Sequence, residues 1–493
     1  VQRAYPLYPF MTRLGVLLGV AASLLFSDLL AGILVLILFL VAGHSWRHDM
    51  LPALPAVLCY QLFALSIGYL FYVSYGYYPG GGSVASIEIA VIFSAAAVIC
   101  LLIGFRLGLR VFRHSFRFSL TTQADLYVPI RLFWLTAALF SVNFVFDIVP
   151  TTIWFGAAQM ISNILMLRYV PYFMLLVVTF EQRKGLGLAL AATVIVILPE
   201  LLTGFSRFKE ILLFVVIAAL IQWRPWIRSA AQKAINRGVM IVGTTFSILT
   251  LGVGLVWTGG LKVAWRDAIW GSNDLEASPI ERMQLFFELA VQTVQKIDIA
   301  QTLETLATRF SSGTQFFAYT IERVPTMVAY QDGRLLGLAL ENLMPRVLFP
   351  EKRVLGGDSW IVREFAGLTV AGDESGASVG LGWPAEFYID FGPGGVIALS
   401  IIYGFVVAAC LALLARVARN REIFFGLMIA ILTSSLMSID GSFIKLLPGL
   451  IQRTLIAAAA VALMGPLVLT FAQRRSKRRP PKRQSSWSAP IEK

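Results

Sequence analysis

Long apolar runs, recurring along the whole chain, limit the fold more than any other feature. The run LGLALAATVIVILPELLTG at 186–204 carries a single charge, Glu200. About 20 apolar residues in a helix cross the hydrocarbon core of a bilayer. Only helices and closed barrels satisfy their backbone groups there. Runs of this kind fall at about 11–27, 28–44, 50–73, 87–110, 127–148, 159–180, 186–204, 208–223, 238–258, 387–415, 422–439 and 446–472. The expected fold is therefore all-α, a polytopic membrane protein of about twelve transmembrane helices. The first two runs are short and read as a tight hairpin. Charged residues make up only 14% of the 493, against roughly 25% in soluble domains. The opening VQRAYPLYPF offers no small-residue cleavage site, so no cleavable signal peptide is expected.

Loop charge sets the orientation, because Lys and Arg collect on the cytoplasmic side. Arg47, then Arg106, Arg110, Arg113 and Arg117, then Arg183 and Lys184, then Arg224, Arg228, Lys233 and Arg237, then Arg416, Arg419 and Arg421 occupy alternate loops. With twelve spans these loops share one side, and both termini are cytoplasmic. The tail RRSKRRPPKR at 474–483 agrees. The net charge of +13 reads as topology charge and attraction to anionic lipid, with no nucleic-acid partner. Only Arg207, Lys209 and Lys445 depart from the pattern in short loops.

Four parts follow: transmembrane helices 1–9 over 1–258, an extracytoplasmic cap loop over 259–385, transmembrane helices 10–12 over 386–472, and a basic cytoplasmic tail over 473–493. In the cap, SPIERMQLFFELA at 278–290 opens with a capping box of Ser278 and Glu281, with Pro279 at the first helical position. Further helices are expected at 314–330 and 335–344.

Cationic residues placed where charge is costly mark the candidate site. FSRFKE at 205–210 sets Arg207 and Lys209 at a helix N-terminus, where two cations are locally unfavourable unless an anion binds. Snorkelling at the interface is the alternative. Arg168 lies near mid-bilayer depth and Arg453 about two turns inside the last span. Intramembrane charge is a functional pointer, and structural ion pairing is the alternative, with Asp147 and Glu200 as partners for Arg168. PRVLFPEKR at 345–353 gathers Arg346, Lys352 and Arg353 among apolar residues. Arginine grips phosphate with two parallel hydrogen bonds. Glu386 and Asp390 share a helix face where the chain re-enters the membrane; either could deprotonate a hydroxyl or cap a helix. Cys59, Cys100 and Cys410 lie inside apolar runs, and His44, His48 and His114 in cytoplasmic loops. That leaves no metal-ligand spacing. No P-loop or dinucleotide glycine pattern is present, so no cofactor is expected and any donor must arrive activated.

In its second half the chain resembles the superfamily of O-antigen polymerases (Wzy-type) and O-antigen ligases, polytopic GT-C glycosyltransferases. The resemblance rests on TGFSRFKEILLF between two spans, on PRVLFP and GASVGLG in a long outer loop, and on EFYIDFGPGG at its exit. It implies a polyprenyl-diphosphate-linked oligosaccharide donor, a second lipid-linked glycan as acceptor, and no metal. It implies Arg207 against the diphosphate and, more loosely, Arg346 or Arg353; beside it, the residues themselves suggest Glu386 or Asp390 to position or deprotonate the acceptor. A chain-length-regulating co-polymerase is an implied partner, and the bacterial cytoplasmic membrane the implied location. A ligase would carry an outer-loop histidine, which this chain lacks. A polysaccharide or lipid flippase is the rival from another class; it would use the same buried charges and paired halves with broken helices, which the sequence does not reveal.

Overall fold

The computed structural model describes residues 7–45, 53–75, 84–116, 124–148, 158–202, 208–223, 229–270, 279–344, 349, 357–372, 378–418 and 420–473. Among them the chain is helical, with one isolated bridge between Tyr127 and Gln473 in place of any sheet. The helices are α1 Leu7–Phe26, α2 Leu29–Ser45, α3 Ala53–Tyr75, α4 Val84–Val111, α5 Pro129–Ile148, α6 Ala158–Leu165, α7 Tyr169–Gln182, α8 Leu186–Leu202, α9 Phe208–Leu220 and α10 Ala230–Val256. They continue with α11 Lys262–Trp270, α12 Pro279–Lys296, α13 Ile299–Arg323, α14 Arg334–Asn342, α15 Ser359–Ile361, α16 Trp383–Ala418, α17 Arg421–Leu436 and α18 Phe443–Ala472. Among the described residues, seven helices are long and apolar enough to cross a membrane. This is an all-helical protein with membrane-spanning character.

Small residues let the helices close on one another, as packing in lipid requires. Gly104 faces the backbone of Ile401 and Gly404 that of Leu101, which locks α4 to α16. Gly19 and Gly32 do the same in the α1–α2 hairpin. Helix α7 is buried from Tyr169 through Thr179, apart from Val170, and α17 is buried over most of its length, so these two form the centre.

Polar contacts join loop ends that the charge pattern assigns to one side. Arg421 pairs with Glu181 at 2.9 Å, Gln182 Nε2 donates to Ala124 O and Tyr127 O, Asn420 donates to Tyr127, and Arg131 donates to Gln473 O. Arg416 donates to Ser115, and Arg106 meets His44. At the opposite end, Tyr69 donates to Asp28, Lys445 pairs with Asp358 at 3.0 Å, and Asn342 donates to Ile444 O. Asp358 thus explains why Lys445 stands outside the positive-charge pattern.

Among the described residues three helices are broken; the sequence signals the one at GPGG, 392–395, and not the other two. A 3-10 turn at Met166–Arg168 separates α6 from α7, and a π turn at Trp257–Leu261 with Gly260 at φ 144° separates α10 from α11. The third break lies inside α16, at Phe391 and at Gly392 with φ 64°. Pro393 has no N–H to give Ile389 O, so that carbonyl loses its helical partner. Gln331 N donates to it instead at 2.9 Å, and Asp332 N donates to Asp390 O at 3.1 Å. Freed carbonyls inside a membrane protein need such replacement. A side chain at Gly392 would meet the Tyr330 ring at 2.9 Å, so the break also needs a glycine.

The cap departs from expectation in one element. The helix anticipated at 314–330 is α13, which starts fifteen residues earlier. Asp298 caps it, accepting from Gln301 N at 3.1 Å, and it ends at Arg323, two residues before Pro325. It also runs into the bundle. Ser311 packs on Gly68 of α3, Phe310 stands edge-on to Phe63, and Phe317 packs on Phe93. Gly68 is seven residues from the end of α3, a depth of about 10 Å at 1.5 Å per residue. The short α14 falls where expected, and α12 begins at Pro279.

Candidate functional site

The re-entry stretch Trp383–Asp390 organises the site through two carboxylates. Asp390, 2% exposed, accepts from Leu335 N at 3.0 Å and Leu336 N at 2.8 Å. These amides belong to the first turn of α14, which has no side-chain cap of its own. Four residues earlier, Glu386 is 1% exposed and accepts from Ile444 N at 3.3 Å, in the first turn of α18. Its Oε1 is buried with no hydrogen-bond partner among the described residues. The shared face anticipated for this pair is real in effect: one helical turn of α16 holds the N-termini of two other helices. Helix N-termini favour negative charge, so both carboxylates serve as caps supplied from a distance.

The other end of α14 is tied to α18. Gln452 Nε2 donates to Asn342 O at 3.2 Å and Leu343 O at 3.1 Å, and Asn342 Nδ2 donates to Ile444 O at 3.1 Å. Asn163 of α6 joins this seam, donating to Gln452 Oε1 at 3.3 Å and accepting from Arg453 Nε at 3.1 Å. Arg453 also donates to Ser434 O at 2.9 Å and Ser435 Oγ at 3.2 Å, in the last turn of α17. These acceptors orient the guanidinium.

Arg168 occupies the break between α6 and α7 and is 8% exposed. It donates to Asn143 and to the Tyr169 hydroxyl at 3.0 Å, and it lies over the Phe140 and Tyr169 rings at 5.1 and 4.8 Å. Cation–π contact of this kind offsets part of the cost of a buried charge. Arg168 and Arg453 are therefore linked through α6, one at its C-terminal break and the other through Asn163.

Lys209 falls in the first turn of α9. Arg207, Arg346 and Arg353 lie outside the described residues. Among the described residues no group of three or more His, Cys, Asp or Glu is placed to hold a metal ion.

Sequence reasoning missed Asn163, Gln452 and Asp440. Asn and Gln carry no charge and give no motif. Asp440 sits in the α17–α18 connector, where MSIDGS at 437–442 reads as an ordinary turn.

A family model matches residues 88–439. The chain belongs to the DUF8712 family, a domain of unknown function. The DUF8712 region runs from Glu88 in α4 to Ile439 just past α17. It contains Arg168, Arg207, Lys209, Arg346, Arg353, Glu386 and Asp390, while Arg453 follows it on α18. No curated protein and no solved structure matches the chain.

Proposed function

We propose that this DUF8712 protein is a membrane glycosyltransferase of the O-antigen polymerase type. It joins polyprenyl-diphosphate-linked oligosaccharide units at the outer face of the bacterial cytoplasmic membrane, with twelve spans and both termini in the cytoplasm. The carrying observation is the seam of Asn163, Gln452 and Arg453, which holds an oriented arginine between α6, α17 and α18. In this reading Arg453, Arg168, Arg207, Lys209, Arg346 and Arg353 bind the diphosphate. Departure of a diphosphate needs stabilised negative charge more than covalent help, and preoriented cations in a dry site supply it. Glu386 and Asp390 hold the frame on which the acceptor is positioned.

The reaction is a direct displacement. An acceptor hydroxyl attacks the anomeric carbon, the carbon–oxygen bond to diphosphate breaks, and the configuration inverts. The cap helices α12 to α14 and the absence of an outer-loop histidine in the sequence support a polymerase over a ligase. The broken helices α6–α7, α10–α11 and α16 favour a second reading, a flippase, because transporters build sites from such breaks.

Purified full-length protein in proteoliposomes separates the two. Lipid-linked oligosaccharide from host membranes should yield a ladder of longer glycans with release of free polyprenyl diphosphate. Transbilayer movement of the lipid without a ladder would overturn the transferase reading.

A further inference from the structure

The α17–α18 connector, residues 437–442, is recessed. Gln61, eight residues into α3, donates to Leu436 O at the end of α17, so the connector begins within the bundle. Asp440 lies against Gly313 of α13, two residues from the Ser311–Gly68 contact. Three glycines crowd this connector. A side chain at Gly313 would meet Asp440 Cβ at 3.0 Å, at Gly380 the Asp440 carbonyl at 2.6 Å, and at Gly382 the Ile439 carbonyl at 2.9 Å. Gly382 also has φ 102°, which side chains rarely adopt. Gly380 and Gly382 thus form one wall of a cradle for Asp440.

The carboxylate itself is available. Ser438 donates to Asp440 Oδ1, and Oδ2 has no partner among the described residues. Ser438 is exposed and Asp440 half-exposed, although both are recessed. Nearby, Asp358 is engaged by Lys445, Glu364 by Arg334 and Asp390 by two amides, and Glu386, which accepts Ile444 N on one oxygen, is buried where Asp440 is half-exposed. Arg453 binds Ser434 and Ser435 immediately before the same connector, so a cation and an open carboxylate flank one short stretch of chain.

We propose that Asp440 is the catalytic base that receives the acceptor hydroxyl in the transfer reaction. This rests on the transferase reading and names the residue that reading lacks. The acceptor oxygen bonds to the anomeric carbon as its proton passes to Asp440 Oδ2. The carbon–oxygen bond to the donor diphosphate breaks, and the diphosphate leaves with the electron pair toward Arg453. Ser438 orients the carboxylate, and the glycines fix its height above the end of α17. General-base catalysis contributes about 10²–10⁴-fold.

The test compares wild-type, Asp440→Asn, Asp440→Ala and Ser438→Ala full-length proteins in proteoliposomes, with lipid-linked oligosaccharide from host membranes as probe. Asp440→Asn should lower the ladder-forming rate at least about 100-fold, with the KM for the lipid-linked donor within about threefold of wild type. Formate should restore at least about tenfold of the rate to Asp440→Ala, which a purely structural role would not produce. Should Asp440→Asn fail to fold, Ser438→Ala should still cost about tenfold in turnover at unchanged KM. Wild-type ladders matched by Asp440→Asn, or by Ser438→Ala in its place, would overturn this inference alone. Wild-type protein that forms no ladder would overturn the transferase reading and this inference with it.

Discussion

Replacing Asp390 with asparagine should loosen α14 selectively. The carboxylate accepts from Leu335 N at 3.0 Å and Leu336 N at 2.8 Å while 2% exposed. Asparagine keeps one acceptor oxygen and turns an amide NH2 toward the second N–H. One charge-assisted hydrogen bond is lost, worth about 1.5–3 kcal/mol, and the favourable interaction with the helix N-terminus, about 0.3–1 kcal/mol, is lost with it. A loss near 2 kcal/mol corresponds to about a 30-fold change in an opening equilibrium. Helix α14 has nine residues, too few to hold together unsupported. Hydrogen exchange measured by mass spectrometry in nanodiscs should therefore show the amides of 335–340 exchanging about 30-fold faster. The second half of α16 should be unchanged. Exchange within about threefold of wild type would refute the trans-capping argument.

Other outcomes follow from the same structure. Arg453→Gln should cut ladder formation by at least about 100-fold, in line with loss of a preoriented charge donor, while the protein elutes as wild type by size exclusion. Gly382→Ala meets both a positive φ and a carbonyl at 2.9 Å, and should destabilise the folded protein by about 1–3 kcal/mol, read as a lowered thermal midpoint. Lys445→Ala should cost less than about 1 kcal/mol despite its 3.0 Å pair with Asp358, because the lysine is 46% exposed; a large thermal shift would contradict this. A cysteine at Ser378 should react with membrane-impermeant maleimide from outside the cell. One at Ser115 should react only after permeabilisation, and the reverse pattern would invert the topology.

Hydrophobic runs made the helices legible. Helices occupy all twelve apolar segments, because a run of apolar residues long enough for lipid has no other stable backbone state. The twelve-span topology is the inference that membrane labelling must test. Placement of α13 went astray because its amphipathic face is built of Ser311, Thr314 and other small polar residues that pack in the bundle. A window that rewards apolar content finds only its later, more aromatic half. The breaks in α6–α7 and α16 lie inside the apolar runs 159–180 and 387–415, although Gly392-Pro393 was a visible signal, and that in α10–α11 falls where the run 238–258 ends. Glu386 and Asp390 were found by their shared face, yet their partners, Ile444 and Leu335–Leu336, lie 54 to 58 residues away. No local pattern encodes such a pairing. Asp440 had one usable signal. Helix α17 spans only sixteen residues, so the connector carrying Asp440 starts below the surface.

Photocrosslinking locates the lipid carrier without relying on turnover. A polyprenyl diphosphate with a diazirine in its first isoprene unit would be irradiated with the full-length protein in nanodiscs, and the adducts mapped by mass spectrometry. Adducts should fall on α6, on the first half of α18 and on 345–356, and excess unlabelled polyprenyl diphosphate should suppress them. Adducts confined to α1, α2 or the exposed face of α10, or adducts that diphosphate does not compete away, would contradict a pyrophosphate site beside Arg453.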